Sequence, residues 1–279
     1  MFIKFEYLIA IEPLGFLYGS AGRFLSPDNL VGRSGTSFPP SAATLSGLFA
    51  AKYGKTNPPE FQTLRLAGPF WAKDNPQNFY VPMPLNYIIK NVKSGKIAHR
   101  LGWDSQAKKW LPKITGKFDK NHWIAIADWD KIACKEIDLS QNFQISSVPW
   151  KEIPHLHPQL EADQRLTYFD REKKQGSLFL ENAIQMEPET CLVYLSSLEL
   201  PDGWYRFGGE GHLVDLQCLP LDEERKKLFD RQIEKSFALI TPAVWGSQRL
   251  SYREPMRIDG NKPSLPVWLT QNQIDKKAG

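Results

Sequence analysis

Long apolar runs and closely spaced cysteines are both missing from the sequence. No run reaches about 18 apolar residues, so no membrane-spanning helix is predicted. The first residues show no basic stretch followed by an apolar one, so they do not read as a secretory signal. Cys134, Cys191 and Cys218 are odd in number and far apart, which excludes a disulfide framework and a CxxC metal site. We therefore expect a cytoplasmic protein without membrane contact, whose cysteines are reduced and mostly buried.

The common nucleotide-binding and catalytic patterns are missing as well. No Gly-Lys-Ser/Thr ending of a P-loop is present, and no GxGxxG opens a helix. Histidine is scarce, and no Ser-His-Asp or Cys-His order can be assigned to the five present: His99, His122, His155, His157 and His212. His155 and His157, with Glu161 and Asp163 close in sequence, lack an obvious third metal ligand. We expect no cofactor, no bound metal and no catalytic residue.

The basic charge of the chain is concentrated in one segment. Hydrophobic residues make up 42% and charged residues 24% of the 279 positions, which is ordinary for a globular protein, and the net charge is only +4. Residues 90–120 hold nine basic and two acidic residues, net +7, whereas the remainder holds 26 basic and 29 acidic residues, net −3. Aromatic residues are interleaved there: Trp103, Trp110, Phe118 and Trp123. This combination is typical of a single-stranded nucleic-acid binder, although a solvated lysine-rich hairpin has the same composition. The candidate phosphate contacts are Lys90, Lys93, Lys96, Arg100, Lys108 and Lys109.

Three glycines lie close together late in the chain, at Gly208, Gly209 and Gly211. They precede an alternating segment that begins at His212, which predicts a turn followed by a strand. Because glycine loses the most backbone entropy on folding, such a cluster indicates either a positive φ or close approach by another chain. Bare N–H groups there would suit a phosphate. The ordinary alternative is a tight turn.

Apolar periodicity predicts an α+β fold. Alternation over 2–11 predicts a first strand with one strongly apolar face, and a helix begins at Ser41 and ends near Gly54. Strands are predicted at 63–66, 78–83, 123–126, 190–195 and 237–240, and an amphipathic helix with Asp222 as its N-cap at 221–235. Hairpins are predicted at 101–110 and 165–180, and an extended connection at 146–158. The element order favours two ferredoxin-like units, similar in layout to the RNA-recognition fold, with inserted hairpins and long loops.

The motifs that carry a resemblance to a known family occur in order along most of the chain. They are Glu12-Pro13-Leu14-Gly15, Gly22-Arg23-Phe24, Pro39-Pro40-Ser41 with Thr44 and Gly47, Gly68-Pro69-Phe70, Val81-Pro82-Met83-Pro84-Leu85, Arg165 to Gly176, Gly208-Gly209-Glu210-Gly211 and Thr241-Pro242-Ala243. Together they resemble the RAMP-superfamily subunit of the type III-B CRISPR effector, the Cmr complex. The subunit is the one at the 5′ end of the guide RNA, beside the large polymerase-like subunit.

The resemblance implies a non-catalytic RNA-binding subunit with two ferredoxin-like domains. They would comprise residues 1–150, with the basic insertion at about 90–120, and residues 151–279, with the glycine-rich loop. The family grips the 5′ repeat-derived tag of the guide RNA (crRNA) and contacts the large subunit and the backbone RAMP subunits. Carried over by position, the RNA contacts would be Arg23, Arg33, Ser41, Gly208, Gly209, Gly211 and His212. The polar end of the chain replaces a strand found in the family, so we expect the second domain to lack its last strand, and His212 stands where the family often has arginine.

Two other functions remain open from the sequence. Relatives in the superfamily cut RNA, so the alternative is a metal-independent endoribonuclease that processes guide RNA, with histidines as its acid and base. Glu210 in the glycine-rich turn is better suited to accept from a backbone N–H or an arginine than to act as an acid. A protein-only scaffold is the third possibility, and its binding would not weaken steeply with salt as phosphate contacts do.

Overall fold

The computed structural model contains a mixed set of helices and strands. It describes residues 4–19, 38–116, 118, 121–134, 136–158, 160–161, 163, 166–170, 175–176, 178–232 and 240–241, and four short strands beyond them. The helices are α1 (Ala42–Tyr53), α2 (Pro59–Gln62), α3 (Trp129–Ala133) and α4 (Glu223–Phe229). The strands are β1 (Tyr7–Pro13), β2 (Leu17–Tyr18), β3 (Leu66–Lys73), β4 (Tyr80–Pro82), β5 (Tyr87–Ile89), β6 (Ile97–Arg100), β7 (Gly102–Asp104), β8 (Lys109–Leu111), β9 (Trp123–Ala125), β10 (Ile145–Ser146), β11 (Trp150–Pro158), β12 (Phe169–Asp170), β13 (Gln175–Gly176), β14 (Leu178–Met186), β15 (Thr190–Ser196), β16 (Gly203–Phe207), β17 (His212–Pro220), β18 (Trp245–Ser247), β19 (Leu250–Tyr252), β20 (Arg257–Asp259) and β21 (Lys262–Ser264).

An eight-stranded antiparallel sheet is the largest sheet of the described residues. Its order is β10-β9-β4-β3-β15-β1-β17-β16. Strand β1 is antiparallel to β15, and β15 is antiparallel to β3, so β1 and β3 are parallel with one strand between them. Helix α1 lies between β1 and β3 in the chain, which makes a split β-α-β unit, the core of a ferredoxin-like fold. The predicted α+β class with ferredoxin-like architecture is confirmed.

Both faces of the large sheet are covered, because alternate side chains of a strand point to opposite sides. Leu8 and Ala10 of β1 belong to one buried cluster, together with Phe79, and Ile9 and Ile11 belong to another, together with Phe49 of α1. The apolar face predicted for the first strand is confirmed at Ile9 and Ile11, and the opposite face is buried as well. Small Ala10 and buried Leu8 complete the second face.

A second, three-stranded sheet in the order β11-β14-β2 carries part of the candidate site. Residues 146–158 were expected to form an extended connection, but Trp150–Pro158 pair with β14 along nine residues. The three prolines in this segment argued against a strand, because proline is tolerated only at particular strand positions. Leu17 of β2 pairs with Ile184, and both side chains are buried in the cluster that contains α1.

The division of the chain at residue 150 stays a prediction. Strands from both sides of that position share the large sheet, and the chain forms compact units at Met1–Ile240 and Thr241–Gly279. In the second unit, β18 pairs with β19 and β20 pairs with β21. Residues 237–239 of the strand predicted at 237–240, and the region of the doubtful last strand, lie outside the described residues.

The two helix predictions are largely confirmed at their starts. Helix α1 begins at Ala42, and α4 begins at Glu223 with the Asp222 side chain accepting from the Arg225 N–H at 2.8 Å. Helix α4 ends at Phe229, earlier than the predicted position 235. None of the described helices is long and apolar enough to cross a membrane.

The three thiols differ in exposure, and this gives a labelling prediction. Cys191 is buried, Cys218 is partly buried and Cys134 is exposed, which corrects the expectation for Cys134. Burial raises the pKa of the Cys191 thiol to about 12, so at pH 8 almost none of it is the reactive thiolate. We expect a maleimide reagent to modify Cys134 first and Cys191 only on unfolding. Peptide mass mapping at early times checks this order, and rapid modification of Cys191 in the folded chain would contradict it.

Candidate nucleic-acid interface

The glycine-rich turn joins the two strands at one edge of the large sheet. Phe207 and His212 are opposite each other at the ends of β16 and β17, so Gly208–Gly211 form a four-residue loop. Gly208 has φ +79° and Gly211 has φ +66°, which is the left-handed region that favours glycine. The Gly211 N–H donates to the Gly208 carbonyl at 3.1 Å. Two of the three glycines are therefore required by the turn itself.

Gly209 has no such requirement. Its φ does not lie in the left-handed region, and a Cβ placed on it meets no atom within 4 Å. A Cβ on Gly208 would also point into open space, whereas one on Gly211 would contact the Arg206 side chain at ordinary distance. The missing side chain at Gly209 thus leaves the backbone open to approach from outside.

Three stacked rings lie beside this turn. The ring of Tyr18 lies 5.3 Å from that of His212, at an interplanar angle of 30°, and 6.2 Å from that of His155, at 18°. The Tyr18 hydroxyl and His155 Nδ1 are joined by a 2.6 Å hydrogen bond. Phe16 lies edge-on to His155 at 6.5 Å and is 41% exposed. We call Phe16, Tyr18, His155 and His212 the ring cluster.

The ring cluster is assembled by pairing between distant segments. Strand β14 pairs with β2 on one side and with β11 on the other, which brings Tyr18 and His155 together. His212 is the first residue of β17, directly after the glycine-rich turn. The sequence located His212 but missed Phe16 and Tyr18 and considered His155 only for metal or acid–base chemistry. The aromatic alternation at Phe16-Leu17-Tyr18 was the available signal.

The imidazole of His212 is mostly enclosed. Its side chain is 17% exposed, and its Nε2 lies 3.5 Å from Glu210 Oε2. The two groups are at ion-pair distance, but Nε2 has no hydrogen bond. Because Glu210 is well exposed, this pair adds little stability. Glu210 was expected to face a backbone N–H or an arginine, whereas its carboxylate lies beside His212.

A chain of contacts connects the turn to the start of α1. The rings of Phe207 and Tyr194 are 6.4 Å apart, and the Tyr194 hydroxyl donates to the Pro40 carbonyl at 2.6 Å. Burial of Tyr194 raises its pKa far above the usual value, so it stays a donor. Ser41 stands at the N-cap position, as predicted, but its exposed hydroxyl makes no cap hydrogen bond. The structure therefore ties the segment before Ser41 to the strand that leads into the turn.

The basic segment lies at the opposite end of the sheet. Its hairpin β5–β6 is anchored by buried Tyr87, Ile89 and Ile97, and the Gly95 carbonyl accepts from the Phe143 N–H next to β10. Strands β10 and β16 are the two edges of the sheet, and seven strand spacings of about 4.8 Å separate them by on the order of 30 Å. The structure separates the predicted lysines from the glycine-rich turn.

The basic residues of that segment are not equivalent. Five of the six predicted phosphate contacts have exposed side chains: Lys90, Lys93, Lys96, Lys108 and Lys109. Arg100 instead donates from Nη1 to the Cys134 carbonyl at 3.1 Å, and its guanidinium lies 5.8 Å from the Tyr87 ring centre. Arg100 therefore holds the hairpin against the end of α3 in addition to adding charge. Arg23 and Arg33, predicted to contact RNA, lie outside the described residues.

Neutralising the exposed lysines tests their predicted role in phosphate attraction. We expect replacement of all five by serine to reduce the slope of log affinity against log salt by about 0.7 for each lysine that contacts a phosphate of single-stranded RNA. A matched control replaces five exposed lysines elsewhere: Lys4, Lys52, Lys55, Lys73 and Lys227. Fluorescence anisotropy over a salt series measures the slope. RNA binding that is unchanged at every salt concentration would contradict the assignment.

His99 and His122 lie on other elements than the rings of the cluster. His99 is exposed on β6 in the basic segment, and His122 precedes β9. Nothing is described of the His157 side chain. In the part of the chain that the structure describes, no three His, Cys, Asp or Glu side chains are grouped as a metal site.

Comparison with known proteins gives structural neighbours only. No protein-family model and no curated protein matches the chain. The chain is similar to one from a type III-B Cmr-beta complex bound to cognate target RNA and AMPPnP, with 10% identity and a TM-score of 0.42. The chain is also similar to one from Cmr-beta bound to cognate target RNA, with 11% identity and a TM-score of 0.40. Each similarity covers 83% of this chain and 66% of the other.

Proposed function

We propose that the chain is a non-catalytic RNA-binding subunit of a type III-B CRISPR effector complex. In this proposal it grips the 5′ repeat-derived tag of the guide RNA and contacts the large polymerase-like subunit and the backbone RAMP subunits in the cytoplasm, in antiviral defence. The observation that carries the RNA-binding role is the open backbone at Gly209 directly beside the ring cluster. The order of motifs along the sequence supports the effector complex and its partners.

The chemistry of the turn and the rings suits a nucleotide. Open backbone allows a phosphate oxygen to approach N–H groups that a side chain would shield. Flat side chains next to it give a base a surface to stack on, and this stacking tolerates any base. Phe16 and His155 are at the exposed side of the cluster, so a base can reach them. One phosphate and its neighbouring base can then be held together.

Binding of labelled guide RNA tests the proposal. We expect the purified chain to bind RNA with the 5′ tag more tightly than RNA without it, and to lose affinity as salt rises, with the RNA left intact. A matched RNA of the same length with a scrambled tag is the control. Equal affinity for the tagged and scrambled RNAs would contradict tag recognition, and binding that resists salt would favour a protein-only scaffold.

Metal-independent RNA cleavage is the second candidate function, and one observation favours it. The imidazoles of His155 and His212 both stack with the Tyr18 ring, and histidine is the usual acid or base near neutral pH. The same binding reactions, run on denaturing gels, test this candidate. Cleavage that is lost in both His155→Ala and His212→Ala would favour the nuclease over the non-catalytic subunit.

A further inference from the structure

The hairpin β7–β8 stands apart from every other sheet. Among the described residues, its two strands pair only with each other. Its base is held by Asn86, whose carbonyl accepts from the Leu101 N–H at 2.7 Å and whose side-chain amide donates to the Leu101 carbonyl at 3.3 Å. A two-stranded hairpin alone is marginally stable in water. The exposed side chains of this hairpin are therefore candidates for a binding role.

The tip of this hairpin presents positive charge. The Asp104 carboxylate accepts from the N–H groups of Gln106 and Ala107, each at 2.9 Å, so the acidic side chain is turned toward its own backbone. Lys108 and Lys109 follow at the tip and are exposed. Neither side chain makes a hydrogen bond or ion pair to another described residue. The exposed lysines at the tip can therefore bind an anionic partner.

Two tryptophans stand on the same face of the hairpin. Trp103 and Trp110 are directly opposite each other, with ring centres 5.6 Å apart and planes at 66°. They are 39% and 52% exposed. An edge-to-face contact covers at most one face of one ring, so outer ring faces stay open. Large exposed apolar surfaces of this kind mark interaction sites.

We propose that the β7–β8 hairpin binds single-stranded RNA, with an unpaired base stacked on Trp103 or Trp110 and the adjoining phosphates held by Lys108 and Lys109. The positive charge of the segment favours RNA as the partner, since the hairpin belongs to the segment of net +7 in a chain whose remainder is net −3. Aromatic faces beside cations recognise single strands without regard to sequence. This inference rests on the proposed RNA-binding function and adds a second contact, at the other end of the sheet from the ring cluster.

Base-specific loss of affinity tests the hairpin. The probe is a short single-stranded RNA without the tag, containing 2-aminopurine, whose fluorescence falls when it stacks. We expect Trp103→Ala/Trp110→Ala to weaken binding roughly tenfold and to reduce the fluorescence change, leaving only the part that arises at the ring cluster. Trp103→Phe/Trp110→Phe should keep most of both signals. Trp204→Ala, which removes an exposed tryptophan from β16, is the matched control, and thermal unfolding checks that each variant is folded.

An abasic RNA separates stacking from charge. With the bases removed and the phosphates kept, we expect the unmodified chain to bind as weakly as the double alanine variant. Unchanged RNA binding by that variant would overturn the inference and indicate a protein partner for the tryptophans. Loss of the tag preference alone would overturn the proposed function while leaving the hairpin contact in place. No binding of any RNA would overturn both.

Discussion

Replacing Gly209 with valine will weaken RNA binding by roughly tenfold or more, while the free energy of unfolding changes by no more than about 0.5 kcal/mol. The stability effect is small because a Cβ at this position meets no atom within 4 Å. The binding effect is large because the branched side chain would hold a phosphate away from the backbone N–H groups. Anisotropy and chemical denaturation, performed on the same preparations, measure the two quantities.

Gly208 provides the matched control for this experiment. Its φ of +79° is costly for any residue with a Cβ, so Gly208→Ala should lose about 1–2 kcal/mol of stability. Gly209→Ala adds the same methyl group without this backbone cost. We therefore expect Gly208→Ala to lose more stability than Gly209→Val, and Gly209→Val to lose more RNA affinity than Gly208→Ala. Parallel losses of stability and affinity in both would show that the turn is only structural.

Replacing Tyr18 with alanine will also weaken RNA binding by roughly tenfold, since stacking on an aromatic platform contributes about 1–3 kcal/mol per base. The Tyr18 ring stacks with the imidazoles of both His155 and His212, so its loss removes both ring contacts. Tyr18→Phe keeps the ring and removes only the hydrogen bond to His155. We expect the phenylalanine variant to bind within about threefold of the unmodified chain.

The comparison of these two Tyr18 variants identifies the physical cause. Equal losses in Tyr18→Ala and Tyr18→Phe would assign the effect to the hydrogen bond instead of the ring stack. No loss in either would remove the ring cluster from the interface. Circular dichroism of both variants provides the folding control, because Tyr18 lies at the end of a strand that pairs with β14.

Local features of the fold were predictable from the sequence, and pairings between distant segments were not. Helix α1, the hairpin at 102–111 and the Asp222 cap follow from neighbouring residues. Strand β3 was placed too early, at 63–66, because Gly68-Pro69 argues against a strand interior. In the structure these residues lie at an irregularity in the pairing with β15, where a Cβ on Gly68 would be 2.9 Å from the Tyr194 ring. Strand β15 leaves no room for a side chain at Gly68, and this requirement is not visible in the local sequence.

The candidate site was predictable only in part for the same reason. Positive φ at Gly208 and Gly211 agrees with the glycine spacing. The ring cluster joins residues near positions 16–18, 155 and 212, and only the pairing of β2, β11 and β14 brings the first two parts together. The lysines of the basic segment and the glycine-rich turn were each predicted to contact RNA. Their positions at opposite ends of the sheet make them two separate contacts.

Cross-linking tests the central claim, RNA contact at the glycine-rich turn and ring cluster, most directly. Guide RNA carrying 4-thiouridine in its 5′ tag would be irradiated with the purified chain, and the linked peptides identified by mass spectrometry. The account predicts links within peptides that contain Phe16 and Tyr18, His155, or Gly208–His212, and predicts their loss in Gly209→Val. Links from the tag confined to other parts of the chain, with none at these three segments, would contradict it.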